Sequence, residues 1–176
     1  GENPNQKALL HKDKGLISTD YQIQGKEISY NNILDIDSGL DFINEFSEPT
    51  AVIIKHNNAC GVASSKTIRN SFVKAFKSDK KSAFGGVVLV NKKTDEKLAN
   101  LVSKKFFEVL VSPGFTKKAI EILSKKEKLI LINSNKIKKS NKEIIKSVRM
   151  GTLVQESNNF RLSKSNFKIV SKNNNI

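Results

Sequence analysis

Residues Gly85-Gly-Val-Val-Leu-Val90 form a short, unbroken apolar run opened by two glycines. A run of this length without alternation predicts a strand covered on both faces. The same pattern recurs upstream at Ala51-Val-Ile-Ile54 and downstream at Val109-Leu-Val111 and Leu129-Ile-Leu-Ile132. Helical spacing fills the gaps. Ile68, Phe72, Ala75 and Phe76 predict a helix starting near Ser64 or Ser65. Leu98, Leu101 and Val102 predict a second, capped by Thr94 with Asp95 and Glu96 in its first turn, and Ile120 and Leu123 predict a third over 115–123. Strands alternating with such helices predict an α/β fold over 51–132, with a largely parallel sheet and helices on both faces.

The flanks are less regular. Within 1–50, residues 7–11 and 21–24 are short extended candidates, and Gly25-Lys26 marks a turn. Ile33, Ile36, Leu40, Ile43 and Phe46 recur at helical spacing, with Asn31 or Asn32 as the expected N-cap, Asp35 and Asp37 in the first turns, and Pro49 as a stop. Residues 133–176 read as a lysine-rich excursion over 133–148, strand candidates at 151–155 and 167–170, and a polar, unstructured end. The first residue is glycine and Met150 is the only methionine, so the chain is expected to begin inside a longer reading frame.

Composition narrows the class. The chain has 176 residues, 38% of them hydrophobic, enough for one packed domain. No apolar run approaches the roughly 18 residues of a membrane span. One cysteine, Cys60, excludes an internal disulfide framework and points to a reducing compartment. That cysteine with two histidines, His11 and His56, leaves too few soft ligands for structural zinc, so no metal is expected. The formal charge is +14, yet only Arg69, Arg149 and Arg161 are arginines. Nucleic-acid readers favour arginine for its planar fork of donors. A solvated lysine face is therefore preferred over a nucleic-acid groove, with a surface gathering phosphorylated small molecules between them.

Three places could carry chemistry. Lys55-His-Asn-Asn-Ala-Cys-Gly61 follows the first buried strand and sets a cation beside an imidazole. The histidine can take a proton from an attacking amine while the lysine stabilises an oxyanion or protonates a leaving nitrogen. From the residues alone, an exposed turn is an equal reading. Gly85-Gly86 is either a tight-packing bulge or a close approach to ligand. Glu108, beside Phe106 and Phe107, is either a desolvated carboxylate or an edge residue reaching water. Cys60 reads as a small buried residue. Zinc deamination, which the layer pattern would suit, needs His-x-Glu and Pro-Cys-x-x-Cys, and neither is present.

Five stretches then occur in order: Gly1-Glu-Asn-Pro-Asn-Gln-Lys7, Gly25-Lys-Glu-Ile-Ser-Tyr-Asn-Asn32, Lys55-His-Asn-Asn-Ala-Cys-Gly-Val62, Ser82-Ala-Phe-Gly-Gly86 and Val111-Ser-Pro-Gly-Phe115. Together they resemble the bifunctional AICAR transformylase/IMP cyclohydrolase family, over the first half of its transformylase region. The resemblance implies a cytosolic, three-layer, cytidine-deaminase-like fold without the zinc, and a homodimer with shared sites. It implies formyl transfer from 10-formyltetrahydrofolate to the 5-amino group of AICAR, with IMP cyclohydrolase chemistry on another domain. Residue by residue, it implies His56 as base toward the amine and Lys55 as transition-state cation. Gly85 and Glu108 become substrate contacts, and Asn32 and Asn58 become asparagines supporting the site. The chain departs from the family at Asn5, where His is usual, and at Ala59, where Pro is usual and whose absence is expected to loosen the turn. The family's Arg-Tyr pair would precede Gly1, so this chain is expected to be inactive alone. The reading of a different class is a non-catalytic basic α/β module for nucleic acid or phosphorylated ligands.

Overall fold

The computed structural model describes residues 1–10, 21–137 and 143–158. His11 and the strand candidate at 167–170 lie outside the described residues, and residues 7–10 form no regular element. The chain divides into two compact units, Gly1–Lys138 and Lys139–Ile176.

The first unit is built on a six-stranded sheet. In chain order its elements are β1 (Gln22–Gln24), α1 (Tyr30–Ile43), β2 (Thr50–Lys55), β3 (Asn58–Ser64), α2 (Ile68–Ser78), β4 (Val87–Val90), α3 (Glu96–Ser103), β5 (Val109–Ser112), α4 (Lys117–Ser124) and β6 (Ile130–Asn133). The strand order is β1-β6-β5-β4-β2-β3. β4, β5 and β6 pair in parallel, as expected for strands joined through α3 and α4. β2 runs antiparallel to both β4 and β3, and β1 runs antiparallel to β6. Strands β3 to β6 thus share one direction, as expected of a largely parallel sheet, while β1 and β2 run against them. β2 reverses because only a two-residue turn separates it from β3, too short for a parallel crossover.

The four apolar runs are the four central strands, and almost all their residues are buried. Alternate residues face opposite layers. Ile53, Val88, Leu110 and Leu131 pack with Phe72 of α2, Leu98 of α3 and Leu123 of α4. Val52, Leu89, Val111 and Ile132 belong to the opposite layer with Ile36 and Ile43 of α1. Helices therefore cover both faces, three on one side and α1 on the other. α1 lies close to the sheet at Gly39, where a Cβ would overlap the Leu89 side chain.

Local chemistry corrects several expected boundaries. Ser29, not Asn31 or Asn32, caps α1: its hydroxyl accepts the Asn32 amide, and the Asn32 side chain returns to the Ser29 amide, a capping box. Asp95 rather than Thr94 caps α3, with Oδ1 accepting the Leu98 amide at 2.8 Å. Thr94 is buried and donates its hydroxyl to Ser112 Oγ at 3.0 Å. α2 is capped by Thr67 because the residues before it form β3, where the sequence reading placed a turn and a helix start.

The second unit contains an antiparallel hairpin of β7 (Glu143–Val148) and β8 (Gly151–Glu156). β8 matches its expected strand, whereas β7 replaces part of the expected lysine-rich excursion. Ile145 pairs with Val154 on one face, and Lys146 pairs with Leu153 on the other.

Candidate active site

The Lys55–Gly61 stretch is a tight hairpin rather than a long turn. Lys55 pairs with Asn58, leaving His56 and Asn57 as the two loop residues. Their φ angles are 54° and 60°. Two-residue hairpins of type I′ need positive φ at both positions because this twist matches the strands. His56 stands exposed at the tip, and Asn58 Nδ2 donates to the His56 carbonyl at 3.0 Å. α1 grips the turn from the side: the Asn57 amide donates to Asp35 Oδ1 at 2.7 Å, and Ser38 Oγ donates to Asn57 Oδ1 at 3.1 Å. Ala59, at the proline departure, lies within β3 opposite Ile54, where the strand register shifts. The turn leads into a strand rather than into a helix.

Antiparallel pairing sets Ile54 opposite Val87. The carboxyl end of β2 therefore lies at the amino ends of β4 and β5, and the candidate residues collect on that edge. Lys55 Nζ donates to the Phe84 carbonyl at 2.5 Å. Gly85 follows with φ 71°, a conformation side chains rarely adopt, and a Cβ there would sit 4.0 Å from Lys55 Nζ. The Gly85 amide donates to the Phe106 carbonyl at 2.9 Å, and the Glu108 amide donates to the Gly86 carbonyl at 3.1 Å. These bonds tie the 84–86 loop to the start of β5. The Asp79 carboxylate accepts the Ser82 hydroxyl and amide, which holds its own carboxyl below the ordinary range and shapes the loop's entry.

Glu108 is partly buried and doubly held. Asn32 Nδ2 donates to its Oε2 at 3.2 Å, and Lys26 Nζ approaches the same oxygen at 3.3 Å. Beside it opens a cavity of about 380 Å³ lined by Lys26, Lys105, Phe106, Lys126, Lys128 and Leu129, among others. Phe84 and Phe106 are exposed with ring centroids 4.9 Å apart. Cys60 is half-buried, its thiol pushed up chiefly by burial, and its Sγ donates to the Ile53 carbonyl. No group of histidine, cysteine and carboxylate side chains able to hold a metal occurs among the described residues.

The expected Lys55, His56, Asn58, Gly85, Glu108 and Asn32 thus fall on one edge. Asn32 and Glu108 touch directly, as do Lys55 and the 84–86 loop. Sequence reasoning missed Lys26, Asp35 and Ser38. Asn32, Asp35 and Ser38 recur every three residues through α1, a polar file beside its apolar stripe, and that spacing was the available signal.

A sequence profile of the AICARFT/IMPCHase bienzyme family matches residues 1–175. The chain belongs to that family. Its relatives include the bifunctional purine biosynthesis protein PurH of Acetivibrio thermocellus, 41% identical over 97% of this chain and 34% of that protein. PurH of Caldicellulosiruptor bescii is 42% identical over 93% of this chain and 33% of its own length. The chain spans about a third of the length of these AICARFT/IMPCHase relatives. Among solved structures, a formate dehydrogenase accessory protein from Desulfotalea psychrophila superposes with a TM-score of 0.50 at 8% identity, over 70% of this chain and 55% of that one. That likeness concerns the fold alone.

Proposed function

We propose that this chain supplies the general base and part of the nucleotide site for formyl transfer from 10-formyltetrahydrofolate to the 5-amino group of AICAR, within a bifunctional enzyme that also carries IMP cyclohydrolase activity. One observation carries the reading: in a member of the AICARFT/IMPCHase family, Lys55-His56, Gly85 and Glu108 gather on one sheet edge. His56 accepts a proton from the amine as its nitrogen attacks the formyl carbon. The bond from that carbon to the folate nitrogen breaks, and that nitrogen takes up a proton. Lys55, within reach of the 84–86 loop, steadies the developing oxyanion. Glu108, oriented by Lys26 and Asn32, accepts hydrogen bonds from AICAR. Gly85 allows close approach of its backbone, and Asn58 braces the His56 carbonyl. A cytidine-deaminase-like fold, a cytoplasmic location and a homodimer with shared sites belong to the same reading and rest on the family resemblance.

The test grafts these 176 residues into the Acetivibrio thermocellus relative in place of the matched third. Formyl transfer to AICAR by that chimera is the expected result. A folded chimera that retains cyclohydrolase activity but transfers no formyl group overturns the assignment.

The charge of +14 favours a second reading as a nucleic-acid module. Scarcity of arginine argues that duplex DNA binding is weak, without sequence preference, and falls steeply with salt. Fluorescence anisotropy with two unrelated duplexes across a salt titration checks this. Sequence-selective binding at physiological salt would reverse the ranking.

A further inference from the structure

α1 holds two separate parts of the edge at once. Asn32 and Asp35 are both buried, lie three residues apart and so share one helix face. Asn32 reaches the Glu108 carboxylate, and Asp35 reaches the Asn57 amide in the hairpin turn. Ser38, one further turn along, reaches the Asn57 side chain. The backbone between these residues is regular helix, which sets their spacing at about 1.5 Å of rise per residue.

We propose that Asp35 is a positioning residue for His56. It fixes the His56-Asn57 turn, and so the tip that carries the imidazole, at a set distance from Glu108. The inference rests on the reading of His56 as the base. Three observations support it. Both turn residues are non-glycine with positive φ, a conformation that persists only where surroundings hold it. The amide-to-carboxylate bond is short, and a charged acceptor makes such bonds stronger than neutral ones. No hydrogen bond to the His56 ring occurs among the described residues, so its placement depends on its backbone.

The experiment has two readouts. In the chimera, Asp35→Ala is expected to lower kcat by about 10²-fold, the usual consequence of a displacement near 1 Å, with the KM for AICAR little changed. Asp35→Asn, which keeps an acceptor of the same shape, is expected to recover much of that loss. Combined with His56→Ala, Asp35→Ala is expected to cost nothing further, because it acts through the missing ring. An equal loss in both backgrounds, or full activity in a folded Asp35→Ala chimera, overturns the proposal. In the 176-residue chain, hydrogen exchange at the Asn57 amide is expected to be slow and to quicken in Asp35→Ala, while Leu110 and Leu131 stay protected. If His56→Ala leaves transfer intact, the base assignment fails on its own. Unchanged Asn57 exchange in Asp35→Ala refutes the positioning itself.

Discussion

Alanine at position 56 is expected to lower formyl transfer by the chimera by about 10²–10⁴-fold, the usual contribution of a positioned general base. The residue sits at the tip of a two-residue hairpin, exposed and outside the packed core. Truncating its ring therefore removes a proton acceptor without opening a cavity. The fold should survive, and far-ultraviolet circular dichroism with the cyclohydrolase rate of the same chimera supplies the control. Steady-state assays with AICAR and 10-formyltetrahydrofolate measure the loss. Undiminished transfer would remove His56 from the chemistry.

Phe72→Ala is expected to produce the largest loss of stability. Phe72 is fully buried, and its ring lies 5.9 Å from Phe107 and 6.2 Å from Phe76, centroid to centroid. The Phe76 ring in turn carries the Lys105 ammonium 4.1 Å from its centroid. Removing the ring forfeits its transfer energy and leaves a cavity that sheet and helix close only in part. Such truncations cost about 3–5 kcal/mol. Against a typical total of about 5–15 kcal/mol, that is a large fraction. Urea unfolding of the 176-residue chain with and without the substitution gives the value. A change below about 1 kcal/mol, smaller than buried-ring truncations give, would show that α2 does not pack on the sheet through this residue.

Much of the fold was legible because its centre is chemically monotonous. Ala51–Ile54, Val87–Val90, Val109–Val111 and Ile130–Ile132 are apolar on both faces because helices cover both. β3 was hidden for the opposite reason. It is an edge strand of mostly small residues, Asn58-Ala-Cys-Gly-Val-Ala-Ser64, with little apolar signal. Its turn lacks the Asn-Gly that usually announces a type I′ hairpin and uses His56-Asn57 instead. Missing β3 also concealed the reversal of β2, and with it which ends of β4 and β5 face the site. β7 was masked by the lysines around it, since Ile144 and Ile145 are exposed within the described residues and add no core pattern. At the site, Lys55, His56, Gly85 and Glu108 stood out through local motifs. Lys26 and Asp35 did not, because their partners lie 82 and 22 residues away and only the folded sheet brings them together.

The close approach of α1 at Gly39 bears on inheritance. No side chain fits there while Leu89, fully buried beneath it, keeps its place. A larger residue at position 39 requires either the Leu89 side chain or the helix to shift, and a shift of the helix would carry Asn32 and Asp35 with it. A lineage that needs Glu108 and the hairpin turn in register is therefore constrained at a position that touches neither of them. Selection for the reaction and selection for the core act there on a single hydrogen atom.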